Sequence, residues 1–268
     1  RKIKIRPDPS IVKPEQEAKT MIESIIPEEA EISQIYFDAC FSEVIIQCQN
    51  PGDAVGRRGA NVNEIRNKTG WIPKVERTPP IFSKSVHDVR SYRNSIASER
   101  KKLLKDFGLN IHRPKRPSST WVRVTALGSY REVGRACHLV TTNESRVMVD
   151  VGVNIASDTD PMPYFTAPEA LPLEKLDAVV LTHSHLDHAG MLPVLFKYGY
   201  RGPVYCTPPT RDLMLLLQTD YIKVGGAEGK RPAYDMEDIR TCMKHVVDVE
   251  WGETTDITPD IKLTMSNA

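Results

Sequence analysis

The sequence predicts an α+β chain in two parts, a compact module over residues 14–78 and a larger strand-rich part from residue 120 onward. Two patterns carry this. Residues 14–78 read helix, strand, strand, helix, helix, strand, whereas Trp121 onward opens with apolar strands and then alternates strands with helical runs. At 268 residues, 40% hydrophobic and 26% charged, the chain is long enough for one large domain or two ordinary ones, each with a core. No apolar run approaches the roughly 20 residues a membrane helix needs. The basic start "RKIKIRPDPS" has no apolar stretch behind it, so it does not read as a secretory signal. Five scattered cysteines without a C-x-x-C pair argue against a disulfide framework and a thiolate zinc finger, and read as reduced, mostly buried thiols. A net charge of +1 announces no global attraction to nucleic acid.

Each element follows from local pattern. "RKIKIRPDPSIVKP" alternates charge with Ile before its prolines, which predicts a lone strand and an extended linker. Ala18, Met21, Ile22, Ile25 and Ile26 recur at helical spacing until Pro27 ends the run. "EISQIYFDA" and "SEVIIQCQN" are β-branched and aromatic and predict a hairpin. "PGDAVGRRGANVNEIRNKTG" brackets two arginines with glycines ahead of a helical pattern, and "WIPKVERTPP" supplies a short strand with a proline stop. Trp71 and Tyr92 fit core or helix packing better than base stacking. Residues 81–123 then hold eleven basic positions (Lys84, Arg90, Arg93, Arg100, Lys101, Lys102, Lys105, Arg113, Lys115, Arg116 and Arg123) against Asp88, Glu99 and Asp106. They predict a polar helix and a linker, either a solvated face or a track for a phosphate backbone. Beyond them, "WVRVTALG", "CHLVTT", "RVMVDVGVN" and "LDAVVLTH" are strands, and "GMLPVLFKYGY" and "RDLMLLLQTDYIK" are helices.

"LTHSHLDHAG" packs His183, His185, Asp187 and His188 into six positions just past the buried strand "LDAVVLT", where open α/β sheets place ligands. Alternation points His183 and His185 the same way, and the turn into the next helix brings Asp187 and His188 near them. Neutral imidazoles and a carboxylate suit Zn²⁺ at about 2.0–2.2 Å per ligand, with Mn²⁺ or Fe²⁺ as substitutes. The bland reading is a solvated turn, with Asp187 capping a helix. H-x-H-x-D-H spacing after a strand favours metal.

"THSHLDHAG" resembles the signature of the metallo-β-lactamase superfamily, a four-layer αββα fold, and "VMVDVG" resembles its preceding motif. The resemblance implies that His183 and His185 serve one zinc and Asp187 and His188 a second. It also implies that Asp150 orients the cluster, with Asp150 and Asp187 as the catalytic positions. A pair of such ions stabilises the attacking and leaving oxygens of a phosphodiester.

Gly56-Arg57-Arg58-Gly59 lets the backbone pass close to a phosphate chain ahead of a helix N-terminus. G-x-x-G alone is common, but here it joins the consecutive helices of the 14–78 unit. That unit resembles a type II KH domain, whose G-x-x-G loop clamps single-stranded RNA or DNA.

Over essentially its whole length the chain resembles archaeal homologues of the nuclease subunit of the cleavage and polyadenylation specificity factor, on "IRPDPSIVKP", "GWIPKVERTPP", "LGSYREVGRACHLV", "MVDVGVN" and "LTHSHLDHAGMLP". The resemblance implies the end of a preceding KH-like domain over 1–13, a type II KH domain over 14–78, a basic helix and linker over 79–119, and the first part of a metallo-β-lactamase domain over 120–268. It implies a cytoplasmic zinc-dependent endoribonuclease of the β-CASP type, also a 5′-to-3′ exonuclease, acting on single-stranded RNA in 3′-end processing or transcription termination. Two zinc ions per complete site, a homodimer, RNA polymerase or processing factors as partners, and further metal ligands beyond residue 268 are implied likewise. His138, Asp158 and His245 have no spacing that recommends them as substitute ligands. Two other readings stay open: an RNA-binding chain without catalysis, and a metallohydrolase acting on a substrate that is not nucleic acid.

Overall fold

The computed structural model describes residues 6–8, 10–79, 81–115, 120–157, 159–227, 229 and 231–266. The strand predicted over residues 1–5, Arg116 in the linker and Asp158 lie outside the described residues. The chain divides into two compact units, Arg1–Lys101 and Lys102–Ala268, and the division falls inside the basic segment.

In the first unit, α1 (Glu15–Ile25) starts after Pro14 and presents Ala18 and Ile22 to the core. The predicted hairpin forms from β1 (Ile32–Asp38) and β2 (Glu43–Cys48), which pair antiparallel. Two helices follow, α2 (Pro51–Val55) and α3 (Ala60–Thr69), and β3 (Ile72–Arg77) then runs parallel to β2. Strand order is therefore β1-β2-β3, with the helices supplying Ala18, Ile22, Ala54 and Ile65 to one core with Val44 and Ile46. Trp71 belongs to that core, as its apolar setting predicts. Its ring meets the edge of Phe37 at 4.8 Å, and its Nε1–H donates to the Lys13 carbonyl at 2.8 Å.

The basic segment departs from the single predicted helix. It forms α4 (Lys84–Ser95) and α5 (Ala97–Ile111), separated at Ile96, whose φ of −104° and ψ of 20° depart from helical values. Ser95 Oγ donates back to the Tyr92 carbonyl at 2.8 Å, a local competitor for helical hydrogen bonding that hydrophobic spacing does not reveal. Arg93 and Arg100 are buried, with 8% and 1% exposure, so these two cations are structural and do not belong to a solvated face.

The second unit is a six-stranded sheet ordered β4 (Val122–Ala126), β5 (His138–Thr142), β6 (Arg146–Val149), β7 (Ala178–Val180), β8 (Val204–Cys206) and β9 (Val246–Asp248). The first three are antiparallel neighbours, and β6 to β9 run parallel. Short helices α6 (Leu186–Ala189) and α7 (Leu192–Lys197) follow β7, α8 (Pro208–Ala227) follows β8, and α9 (Met236–His245) leads into β9. A hairpin of β10 (Thr254–Asp256) and β11 (Lys262–Thr264) covers one sheet face. There Val147, Ala178, Val180 and Tyr205 pack with Ile257, Leu263 and Met265. Because β6 and β7 are parallel neighbours, their carboxyl ends open side by side, and the residues that follow them share one end of the sheet.

Candidate functional site

β6 ends at Val149 and β7 at Val180, and the segments that follow are laced together by backbone hydrogen bonds. Asp150 N–H donates to the Val180 carbonyl at 2.9 Å, Val151 N–H to His188 at 2.6 Å, and Val153 N–H to Leu186 at 2.9 Å. Ala136 N–H, from the neck of the preceding loop, donates to the Asp187 carbonyl at 2.8 Å. This close lacing explains Gly152: a Cβ there would lie 1.6 Å from the Asp187 carbonyl oxygen. From the other side, the buried Gln218 of α8 donates to the Ala189 carbonyl at 2.8 Å and bolts α6 in place.

The four predicted side chains converge on this frame. Ligand atoms of His183, His185 and Asp187 all lie within 4.8 Å of one another. The His188 ring centroid is 4.0 Å from that of His183, and its Nε2 is 3.6 Å from Asp187 Oδ2. His183, Asp187 and His188 are half-buried and His185 is exposed, so the cluster is open to solvent on one side.

Asp150 sits beneath, 4% exposed, with a left-handed φ of 60°. Its carboxylate accepts from Thr182 N–H at 2.8 Å, from Thr182 Oγ1 at 2.9 and 3.1 Å, and from His188 Nδ1 at 2.8 Å. An ionised carboxylate only accepts, so Nδ1 carries the proton of this contact; in a neutral imidazole that leaves the Nε2 lone pair toward Asp187, the tautomer that metal ligation needs. Burial lowers the His183 pKa, and the His188 and His185 imidazoles lower it further, which favours the neutral ligand form. Three imidazoles and a carboxylate, one imidazole with its tautomer fixed from behind, fit a divalent transition metal. Of the weaker candidates, His245 is committed elsewhere: it is 5% exposed, its Nδ1 lies 3.1 Å from the Gly202 carbonyl, and its ring packs on Phe107 and Phe196. His138 lies on β5 opposite Val149.

Thr182 and Gly152 escaped the sequence reading. Thr182 Oγ1 also lies 3.0 Å from His183 Nδ1, and its only sequence signal is its place directly before the first histidine. Gly152 follows the aspartate of "VDVG", a glycine whose need is set by a chain segment 35 residues away.

In the first unit, the tetrad forms a tight turn between α2 and α3. Gly56, Arg58 and Gly59 all have left-handed φ values, 74°, 53° and 78°. Gly59 N–H closes the turn on the Gly56 carbonyl at 3.1 Å, and Asn61 Nδ2 ties it to the Asp53 carbonyl at 3.0 Å. Arg57 and Arg58 are exposed on it.

Residues 130–233 match the metallo-beta-lactamase superfamily, a span that takes in Asp150, His183, His185, Asp187 and His188. Over its whole length the chain is 50% identical to the transcription termination factor FttA of Methanosarcina mazei and 46% identical to that of Pyrococcus abyssi. The chain is a homologue of the archaeal FttA proteins. An FttA of a Lokiarchaeum strain is 44% identical over 94% of the chain. The chain spans 42% of the length of the Methanosarcina and Pyrococcus relatives. Among the described residues no helix is long and apolar enough to cross a membrane.

Proposed function

We propose that this protein is a zinc-dependent endoribonuclease that acts in transcription termination or RNA 3′-end processing, with 5′-to-3′ exonuclease activity at the same site. The observation that carries the reading is the Asp150–His188–Asp187 arrangement, a buried carboxylate presetting an imidazole toward a cluster of ligands, in a homologue of proteins named for termination. His183 and His185 would hold one ion, and Asp187 and His188 a second. Metal ions in such a site supply Lewis-acid charge against phosphoryl oxygens and acidify water. The chain's own residues do the positioning. Asp150 keeps the proton on His188 Nδ1, and the Ala136 and Val151 amides hold the Asp187 and His188 carbonyls so that both side chains face outward. Asp187 and His185 are placed to meet substrate, since the Asp187 carboxylate is 43% exposed and His185 is the exposed imidazole of the cluster.

The first unit serves as the RNA-holding module. Its antiparallel hairpin, parallel third strand and glycine turn between consecutive helices support the type II KH reading, with Gly56, Arg57, Arg58 and Gly59 against the backbone of single-stranded RNA. A homodimer working with RNA polymerase or processing factors in the cytoplasm, where archaeal transcripts are made, completes the proposal.

The test is cleavage of single-stranded RNA by the full-length protein with and without a chelator, alongside His183→Ala. A loss of more than about a hundredfold is expected in both arms. Undiminished cleavage by His183→Ala, with the chelator also without effect, overturns the assignment. Replacing Gly56 and Gly59 together by Asp puts side chains at two left-handed positions and negative charge against phosphate. RNA affinity in filter binding is expected to fall roughly tenfold or more, with zinc content unchanged. Unaltered affinity would remove the loop from the RNA path.

A further inference from the structure

The loop of residues 128–135 joins β4 to β5 at the same sheet end as Asp150, and its backbone is unusually constrained. Ser129, Arg131 and Arg135 have left-handed φ values of 64°, 61° and 41°, and Gly134 has 100°. Sparsely populated backbone of this kind persists only where the surroundings hold it, and it concentrates at ligand clamps and active sites.

Here the holding is done by Arg135, which is 8% exposed. Its Nε donates to Glu132 at 2.6 Å, its Nη1 to the Asp160 carboxylate at 2.8 Å and to the Met162 carbonyl at 3.3 Å, and its Nη2 to Tyr164 Oη at 3.1 Å. The guanidinium also lies over the Tyr164 ring at 4.7 Å. Glu132 in turn accepts from Ser129 N–H at 3.1 Å, and the guanidinium beside it holds its carboxyl below the usual range. The neck is pinched shut: Leu127 N–H donates to the Cys137 carbonyl at 2.8 Å, and a Cβ on Gly128 would stand 2.1 Å from the Arg135 carbonyl oxygen. From that neck the Arg135 and Ala136 amides reach the Val153 and Asp187 carbonyls, so the loop is braced on the ligand cluster itself.

The tip that all this fixes faces water. Tyr130 is 77% exposed, Val133 is 89% exposed, and Arg131 is exposed between them. A chain reversal needs no such scaffold, and a flat ring flanked by a guanidinium is the surface that single-stranded nucleic acid favours: bases stack on aromatics whatever their identity, and cations meet phosphates.

We propose that this loop is a rigid wall of the candidate metal site. In this arrangement Tyr130 is a stacking platform for a base beside the scissile phosphate, and Arg135 is the positioning residue that holds it there. The inference rests on the nuclease reading above. The experiment uses the full-length protein and a short single-stranded RNA carrying 2-aminopurine next to the cleavage site. It compares wild type, Tyr130→Phe, Tyr130→Ala and Arg135→Lys by fluorescence in chelator and by steady-state cleavage with zinc. Wild type and Tyr130→Phe are expected to quench the probe equally, whereas Tyr130→Ala loses the quench. Its KM rises roughly tenfold, with kcat within about threefold and zinc content unchanged. Arg135→Lys keeps the charge but not the fork, so its KM also rises although residue 130 is intact. Full quenching and an unchanged KM in Tyr130→Ala overturn the proposal. Because the fluorescence arm needs no turnover, it decides the platform even if wild type fails to cleave RNA, an outcome that would count against the nuclease reading.

Discussion

Asp150→Asn is expected to weaken zinc binding by roughly 10- to 100-fold while leaving the fold intact. Asparagine tolerates the left-handed φ of 60°, and its carbonyl oxygen still accepts from Thr182 N–H and Oγ1. What changes is the atom facing His188 Nδ1, 2.8 Å away: a carboxylate oxygen that can only accept becomes free to be an amide that donates. Nδ1 must then give up its proton, the proton moves to Nε2, and the lone pair that faced Asp187 is lost. Competitive zinc titration against a chromogenic chelator measures the effect, and thermal unfolding of the metal-free protein checks the fold. Equal affinity in the two proteins would show that Asp150 does not set the His188 tautomer.

Gly152→Ala is expected to do damage of a different kind. The added carbon would fall 1.6 Å from the Asp187 carbonyl oxygen, 2.2 Å from its carbon and 2.7 Å from Ala136 N, all backbone atoms that cannot swing aside. The strands' trailing segments must separate, which breaks the hydrogen bonds from Val151, Val153 and Ala136 that carry the ligand turn. A loss of about 3 kcal/mol or more follows, lowering the melting temperature of a unit this size by roughly 6–12 °C, together with loss of tight zinc binding. Gly226→Ala is the matched control: nothing lies within 4 Å of its Cβ, and it is expected to stay within about 1 kcal/mol of wild type. A Gly152→Ala protein that melts with wild type and retains zinc would refute the lacing as the source of the site's geometry.

The convergence of His183, His185, Asp187 and His188 is legible because it is local. Four donors within six residues after an apolar strand need only a turn to meet, and the turn is what the following helix supplies. Asp150 was legible through resemblance alone, since nothing in a single aspartate 33 residues ahead of His183 says that their strands are parallel neighbours. Gly152, Thr182 and Arg135 were not singled out, because each matters through a partner far along the chain: the Asp187 carbonyl, Asp150 and Asp160 respectively. In the first unit the order of elements followed from periodicity, including the burial of Trp71. The break at Ile96 did not, since the apolar spacing runs through it, and Arg93 and Arg100 are buried although Lys84, Lys101, Lys102 and Lys105 of the same run are exposed, as a charge run usually is.

The backbone at Asp150 has a consequence for lineages. A left-handed, buried position whose Oδ1 accepts two hydrogen bonds from Thr182 admits few side chains, and asparagine keeps both of these while changing the atom that faces the imidazole. Under the proposed function, descendants that keep the fold but lose metal binding would drift to asparagine at this position at little structural penalty, while those selected for catalysis would stay at aspartate. One nitrogen-for-oxygen exchange beneath the cluster would then mark the boundary between working and retired copies of this domain.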